Sequence, residues 1–364
     1  MSRALCVVIA GGGTGGHLYP GIAVARELLA RRPDATVTFA GTARGIEARV
    51  LPREGFALDT IRSGGLKGKS IAHRLRGAAL IPLGMVDAWR IVSARRPSVV
   101  IGVGGYSSGP VVLTAALRGV PTMVLEQNAV PGLTNKVLAR WVRAAAVTYQ
   151  QTLPFFAGKG FVSGNPVREE FFDRTAASAR PRAAGGQILV LGGSQGAHAI
   201  NMAMVAAAPE LVRAQPGLRI VHQTGEGDLS VVTDAYRAAR LEARAEPFLD
   251  RVADEMRDAD IVICRAGATT LAELAATGRP AIVVPLPTAT DDHQRKNAEV
   301  FGRSGGALVI DERALSGEAL ADALKALVAD PDRRARMSAA ARTLARPDAA
   351  ERIADRVEAL GRAR

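Results

Sequence analysis

The 364-residue sequence has two cysteines, few aromatic residues, and no apolar run near the ~20 residues that a spanning helix needs. Cys6 in "ALCVVI" and Cys264 in "DIVICR" sit inside strand-like apolar runs. They read as small buried hydrophobes in a reducing compartment, which argues against a disulfide scaffold or a cysteine metal site. The first apolar run breaks into glycines after a few residues, so no secretory signal is expected. The chain should be cytosolic, or held at a membrane from the cytosolic side. No RNA-binding aromatic signature, zinc knuckle or helix-turn-helix pattern is present, so no nucleic acid partner is expected. Acidic residues are also in deficit. The net charge of +12 suits anionic lipid or phosphorylated ligands.

What is present is an alternation of apolar runs and helical patterns. "LCVVIA", "TVTFAG", "SVVIGVG", "TMVLEQN" and "AAAVTY" read as strands in the first half. "QILVLGG", "RIVHQTG", "DIVICRAG", "AIVVPLP" and "GALVI" do so in the second. Nearly continuous apolar strands alternating with amphipathic helices predict parallel sheets covered on both faces. The halves also resemble each other: "VVIAGGGTGGH" ends at His17 and "LVLGGSQGAH" at His198. The fold class is therefore α/β, with two Rossmann-like domains whose sheets face a cleft. The expected domains are 1–163, 164–340, and a C-terminal helix over 341–364 packing back on the first domain.

The loop "AGGGTGGHLYP", Ala10 to Pro20, fits G-x-G-x-x-G at Gly11, Gly13 and Gly16. A dinucleotide site also needs an acid near the end of the next strand, to bind the ribose. That strand ends "TFAGTARG", without one. The loop is instead a glycine-rich turn whose backbone can approach a ligand. "GGYSSGP" (Gly104 to Pro110) and "GGSQGAH" (Gly192 to His198) are two more. Each alone is equally a tight strand–helix turn; three together point to oxygen-rich groups bound beside them. In "CRAGATTLAE" a strand leads into a helix whose first amides, at Ala268, Thr269 and Thr270, suit a pyrophosphate. Glu273, one turn in, either accepts bonds from a ribose diol or merely favours the helix dipole. Asp258 and Asp260 form a D-x-D, but they precede a strand and so belong at the far end of the sheet. With His293 short of ligand partners, no metal is expected.

Between Arg62 and Arg96, eight basic residues (Arg62, Lys67, Lys69, Arg74, Arg76, Arg90, Arg95, Arg96) face one acid, Asp87. They frame the uncharged "GAALIPLGMV", Gly77 to Val86. This pattern suits a patch dipping into anionic headgroups, or else a buried helix flanked by solvated arginines.

In their order along the chain, "GGGTGGH", "GGYSSGP", "LEQNAVPGLTNK", "GNPVR", "GGSQGA", "CRAGATTLAE" and "DDHQRKNA" resemble the MurG family of GT-B glycosyltransferases. The resemblance runs from near Leu5 to the C-terminal helix. It implies inverting transfer of GlcNAc from UDP-GlcNAc to the muramyl 4-hydroxyl of lipid I, giving lipid II. That reaction belongs at the cytoplasmic face of the bacterial inner membrane, alongside cell-wall synthesis machinery. No cofactor is implied.

By motif position, Thr14, Gly15 and Gly16 should approach the donor sugar and its diphosphate. His17 is the candidate base or acceptor orienter, or else a helix-capping histidine. Asn128, Arg168 and Ser194 match donor-site residues, with Arg168 and Ser194 toward the diphosphate. Leu249 matches the backbone position that holds uracil. Ala268, Thr269, Thr270, Leu271, Ala272 and Glu273 should line the nucleotide. Gln294 and Asn297 should read the GlcNAc hydroxyls, and Tyr106 belongs on the acceptor side. Some members carry His before "EQN" where this chain has Leu125, which raises the weight on His17. The competing readings are another GT-B enzyme, such as a glycolipid glycosyltransferase or a UDP-GlcNAc 2-epimerase, and a nucleotide-sugar-binding adaptor without turnover.

Overall fold

A computed structural model describes residues 4–64, 71–173, 184–193 and 196–362, with the backbone alone over 71–79. The chain divides into two compact units, Met1–Arg168 with Arg346–Arg364, and Glu169–Ala345. Arg168 thus closes the first unit, a few residues beyond the expected 163/164 join.

The first unit runs β1 (Cys6–Gly11), α1 (Gly15–Arg31), β2 (Thr36–Gly41), α2 (Ile46–Arg53), β3 (Ala57–Thr60), α3 (Ile71–Arg95), β4 (Val99–Gly104), α4 (Ser108–Leu117), β5 (Thr122–Glu126), α5 (Leu133–Leu138), β6 (Ala144–Val147) and β7 (Gly160–Val162). Its strands lie in the order β3-β2-β1-β4-β5-β6-β7, all pairings parallel. Side chains alternate across the sheet as strand geometry requires. Val7 and Ile9 join a core with Leu18, Ile22, Ile353 and Val357, whereas Val8 and Ala10 join Val92, Val111 and Val112. Burial on both faces is why β1 reads as an unbroken apolar run.

The second unit runs β8 (Gln187–Leu191), α6 (His198–Ala214), β9 (Arg219–Gln223), α7 (Leu229–Ala238), β10 (Glu242–Glu246), α8 (Val252–Asp258), β11 (Ile261–Cys264), α9 (Ala268–Thr277), β12 (Ala281–Val283), α10 (His293–Arg303), β13 (Ala307–Val309), α11 (Gly317–Ala329) and α12 (Pro331–Arg342). Its sheet has the order β10-β9-β8-β11-β12-β13, again parallel. Pro331 opens α12, where its missing N–H is no loss, and Asp330 caps that helix by accepting from Arg333 N at 2.7 Å. The last helix, α13 (Ala349–Arg362), belongs to the first unit, where it packs on α1 and pairs Asp355 with Arg31.

Two expectations change. Cys264 is fully buried, but Cys6 is only half-buried, at the first residue of β1. Three strands, β3 ("ALDT"), β7 ("GFV") and β10 ("EARAE"), join the ten read from the sequence. All three are sheet edges and none is fully buried. Half-exposed, short or charged edges lack the apolar run that marks a central strand.

Candidate functional site

Each sheet has one switch point, where strand order reverses: between β1 and β4 in the first unit and between β8 and β11 in the second. In open parallel sheets ligands bind outside the strand ends at these points. Every glycine-rich loop singled out above follows one of these four strands.

In the first unit the loops after β1 and β4 interlock. The β1–β4 register shifts between Ala10 and Gly11. A Cβ at Gly11 would strike the Gly104 carbonyl, and one at Gly105 would stand 2.5 Å from the Gly12 oxygen. Part of the glycine content therefore serves loop-on-loop packing. Helix α1 starts at Gly15, two residues before His17. Its N-cap residue, Thr14, does not cap with its side chain; Thr14 Oγ1 instead lies 3.3 Å from His17 Nδ1. The His17 ring rests against Gly104. Tyr19, one turn into α1, carries the Arg168 guanidinium 4.5 Å from its ring centre, and its ring borders Gly15. Arg168 thus stands beside the first loop. Tyr106, in the loop before α4, is 51% exposed.

Glu126, at the end of β5, was not among the expected site residues, although it lies inside the quoted "EQN". Its buried carboxylate accepts from Asn128 N at 3.0 Å and Asn128 Nδ2 at 3.2 Å. Its other oxygen accepts from Gly132 N at 3.0 Å and Asn135 Nδ2 at 2.8 Å. Burial pushes this carboxyl above its usual pKa, and the four donors pull the other way. Gln127 Nε2 donates to the Val103 carbonyl at 3.0 Å, tying the same turn to β4. Asn128 is therefore held from within its own motif.

In the second unit, Gln223 links the loop after β8 to the segment after β10. Its Nε2 donates to the Gly193 carbonyl at 2.7 Å and its Oε1 accepts from Leu249 N at 3.3 Å. The N–H of Leu249 is thus directed at Gln223. Ser194 lies outside the described residues. Helix α9 starts at Ala268 behind an extended Gly267, and Leu271 N closes the first turn on the Gly267 carbonyl at 2.9 Å. Thr269 and Glu273 are buried, while Thr270 and Ala272 are half-exposed. Gln294 Oε1 accepts from Leu286 N at 3.0 Å. Asn297 is fully buried, and its Nδ2 donates to the Ala266 carbonyl at 3.2 Å, bracing the β11–α9 loop from below. Asp260 stands before β11 and accepts from Gln187 N at 2.9 Å, at the sheet end opposite these loops.

Behind α6 runs a polar chain. His198 Nδ1 meets Asp228 at 3.0 Å, and Asp228 accepts from Asn201 Nδ2 at 2.8 Å. Asn201 Oδ1 faces His222 Nε2 at 3.0 Å, and His222 Nδ1 faces the Tyr236 hydroxyl at 2.7 Å. Asn201 donates through Nδ2, so its oxygen accepts and the proton of His222 sits on Nε2.

The basic stretch carries less free charge than its composition suggests. Arg62 forms a bidentate pair with Asp87 at 2.8 and 2.7 Å. Arg95 forms another with Asp59, at 2.9 and 2.7 Å, an acid outside the counted window. Lys67 and Lys69 lie outside the described residues, as do the side chains of Arg74 and Arg76. The core-helix alternative for 77–86 does not hold over its described side chains: Ile81, Leu83 and Val86 are each more than two-fifths exposed, as is Trp89 just beyond. Among the described residues, no helix is long and apolar enough to cross a membrane.

Residues 7–147 match the glycosyltransferase family 28 N-terminal domain, and residues 187–353 match the glycosyltransferase family 28 C-terminal domain. A UDP-N-acetylglucosamine–N-acetylmuramyl-(pentapeptide) pyrophosphoryl-undecaprenol N-acetylglucosamine transferase of Anaeromyxobacter sp. (strain K) is 47% identical over 352 residues, 96% of this chain and 91% of that protein. The crystal structure of Acinetobacter baumannii MurG superposes with a TM-score of 0.76 at 30% identity, covering 98% of this chain and 99% of that one. A UDP-GlcNAc 2-epimerase from Neisseria meningitidis, bound to UDP-GlcNAc, superposes with a TM-score of 0.68 at 12% identity, over 96% and 99% of the two chains. That likeness is one of fold alone.

Proposed function

The chain belongs to glycosyltransferase family 28, and from that premise we infer that it is a UDP-GlcNAc-dependent MurG enzyme, which transfers GlcNAc to lipid I and forms lipid II. The observation that carries this reading is the 47% identity over 96% of the chain to a transferase of that name.

The second unit takes the donor. The first amides of α9, at Ala268, Thr269 and Thr270, meet the diphosphate, and Glu273 accepts from the ribose hydroxyls. Leu249, next to the Gln223 link, borders the uracil. Gln294 reads the GlcNAc hydroxyls. Asn297, fully buried against Ala266, serves by shaping the loop rather than by touching sugar. In the first unit, Asn128 and the Thr14–Gly16 turn face the reacting sugar, and Tyr106 lies on the acceptor side. Arg168, stacked on Tyr19, offsets charge on the leaving diphosphate.

His17 is the base. It removes the proton from the muramyl 4-hydroxyl as that oxygen bonds to the anomeric carbon. The carbon–oxygen bond to the diphosphate breaks, and UDP leaves with the electron pair from the opposite face. One displacement inverts the configuration and needs no covalent sugar–enzyme intermediate. Thr14 Oγ1 and Gly104 fix the plane of the imidazole.

The acceptor is a lipid, and the exposed side of α3 supports a peripheral seat on the cytoplasmic leaflet. Ile81, Leu83, Val86 and Trp89 are the apolar part. Arg118 stacks on Trp89 at 4.3 Å, Arg140 on Trp141 at 5.4 Å, and Lys136 lies over Phe155 at 5.8 Å. Amphipathic aromatic–cation pairs of this kind suit the headgroup layer.

The test incubates the protein with labelled UDP-GlcNAc and a lipid I analogue in anionic vesicles, without added metal. Labelled disaccharide-lipid is expected. No transfer by folded protein rejects the reading, and UDP-GlcNAc binding without turnover would favour the adaptor.

A further inference from the structure

Glu47 is the second residue of α2 and is fully buried. A carboxylate is almost never buried to that degree unless it is paired. Glu47 accepts its bonds from neutral donors. Oε2 accepts from Gly13 N at 2.8 Å. Oε1 accepts from Thr42 N at 2.8 Å and from Thr42 Oγ1 at 2.7 Å. Burial pushes the carboxyl up, but the bonds from Gly13 and Thr42 outweigh it and hold it below the usual value, ionised at neutral pH.

Three glycines from three segments close around this side chain. A Cβ at Gly12 would come 2.6 Å from its carboxyl carbon, and one at Gly41 2.8 Å from its Cγ. A Cβ at Gly45 would strike the carboxylate itself. Gly12 belongs to the first loop, Gly41 ends β2, and Gly45 precedes α2. The chain thus leaves room at all three places for one buried anion.

A glycine-rich turn between strand and helix ordinarily offers its amides to an anion from outside. Here the Gly13 amide is already given to an anion from inside. We propose that Glu47 is a positioning residue for the transfer reaction: its carboxylate fills the anion cradle of the first glycine loop and so fixes Thr14 and His17, one and four residues beyond Gly13. The Gly13 amide is thereby committed to Glu47 and not to a ligand. This inference rests on the reading of His17 as the base.

Glu47→Gln keeps the shape but turns an NH2 group toward the N–H and O–H donors around it. Its kcat is expected to fall by about 10–100-fold through displacement of the base, with KM for UDP-GlcNAc within about 2-fold of wild type. A purely structural role would not split kcat from KM. Turnover within about 3-fold of wild type, or a KM rise that matches the kcat loss, overturns the proposal. If Glu47→Gln does not fold, Thr42→Val decides, since it removes one of the three bonds. A lower kcat at unchanged KM supports the proposal, and an unchanged kcat overturns it. Wild-type protein assayed alongside separates the premises: a wild type without transfer activity rejects the enzyme reading itself.

Discussion

The imidazole of His17 lies on the backbone of Gly104, so closely that a methyl group there would stand 2.8 Å from its Cδ2 and 3.0 Å from its Nε2. Gly104 also holds a φ of +100°, which disfavours any other residue. Position 104 therefore decides where the ring of His17 can be.

Two substitutions separate the presence of that ring from its placement. His17→Ala is expected to lower kcat by about 100-fold or more, the scale of a lost general base. KM for UDP-GlcNAc should change little, because the nucleotide that anchors the donor is assigned to the second unit. Gly104→Ala keeps the histidine but pushes it aside, and should give a smaller kcat loss with the same unchanged KM. Steady-state kinetics on both variants check this. A collapse of donor binding in His17→Ala would make His17 a binding residue.

Glu273 is buried within the second turn of α9. If it accepts from the ribose hydroxyls, Glu273→Ala should raise KM for UDP-GlcNAc by about tenfold, or about 1.4 kcal/mol, with little change in kcat. A 2′-deoxy donor supplies the control. It should bind more weakly than UDP-GlcNAc to wild type and equally to the variant. Equal discrimination by both proteins would leave Glu273 with only its place near the helix dipole.

Stability in acid should be set partly by His222. Burial lowers its pKa from 6.5 to about 3, against a small opposing pull from Asp228. The neutral ring satisfies both neighbours, donating to Asn201 and accepting from Tyr236. The unfolded chain binds a proton below pH 6.5 and the folded chain does not until about pH 3. Stability from this group is thus full above 6.5 and is lost as pH falls through that window. Between pH 7.5 and 5 the loss is about 2 kcal/mol. Urea unfolding of wild type and His222→Gln at both pH values measures it. The variant should start less stable but lose about 2 kcal/mol less on acidification. Equal acid sensitivity in the two proteins would remove His222 as the cause.

The two-sheet plan was legible because central parallel strands are buried on both faces and so print apolar runs. Three of the four edge strands were not: "EARAE" carries alternating charge because one side of β10 faces water. The glycine loops were legible as loops, but what fills them was not. Glu47 reads as an ordinary acid in a helical first turn, and only folding brings Gly12, Gly41 and Gly45 around it. Glu126 stood inside a recognised motif, yet its meaning depends on the amides of Gly132 and Asn135. Counting charge in a window failed for the same reason. Asp59, three residues outside that window, neutralises Arg95.

That pairing makes the membrane assignment specific enough to test residue by residue. Arg62 already faces Asp87, and the pair is together neutral, so removing both in Arg62→Ala/Asp87→Ala should leave binding to anionic vesicles nearly unchanged. The apolar contact should matter more. Burying one valine-sized side chain is worth about 1.5–3 kcal/mol, so Val86→Glu or Trp89→Glu should lower the vesicle partition coefficient by about tenfold or more. Turnover on a short-chain, water-soluble lipid I analogue should stay near wild type, because neither side chain belongs to the reacting groups. Co-sedimentation with vesicles and the soluble assay together decide the matter. Unchanged sedimentation of both glutamate variants would reject this face of α3 as the membrane seat, whatever the activity shows.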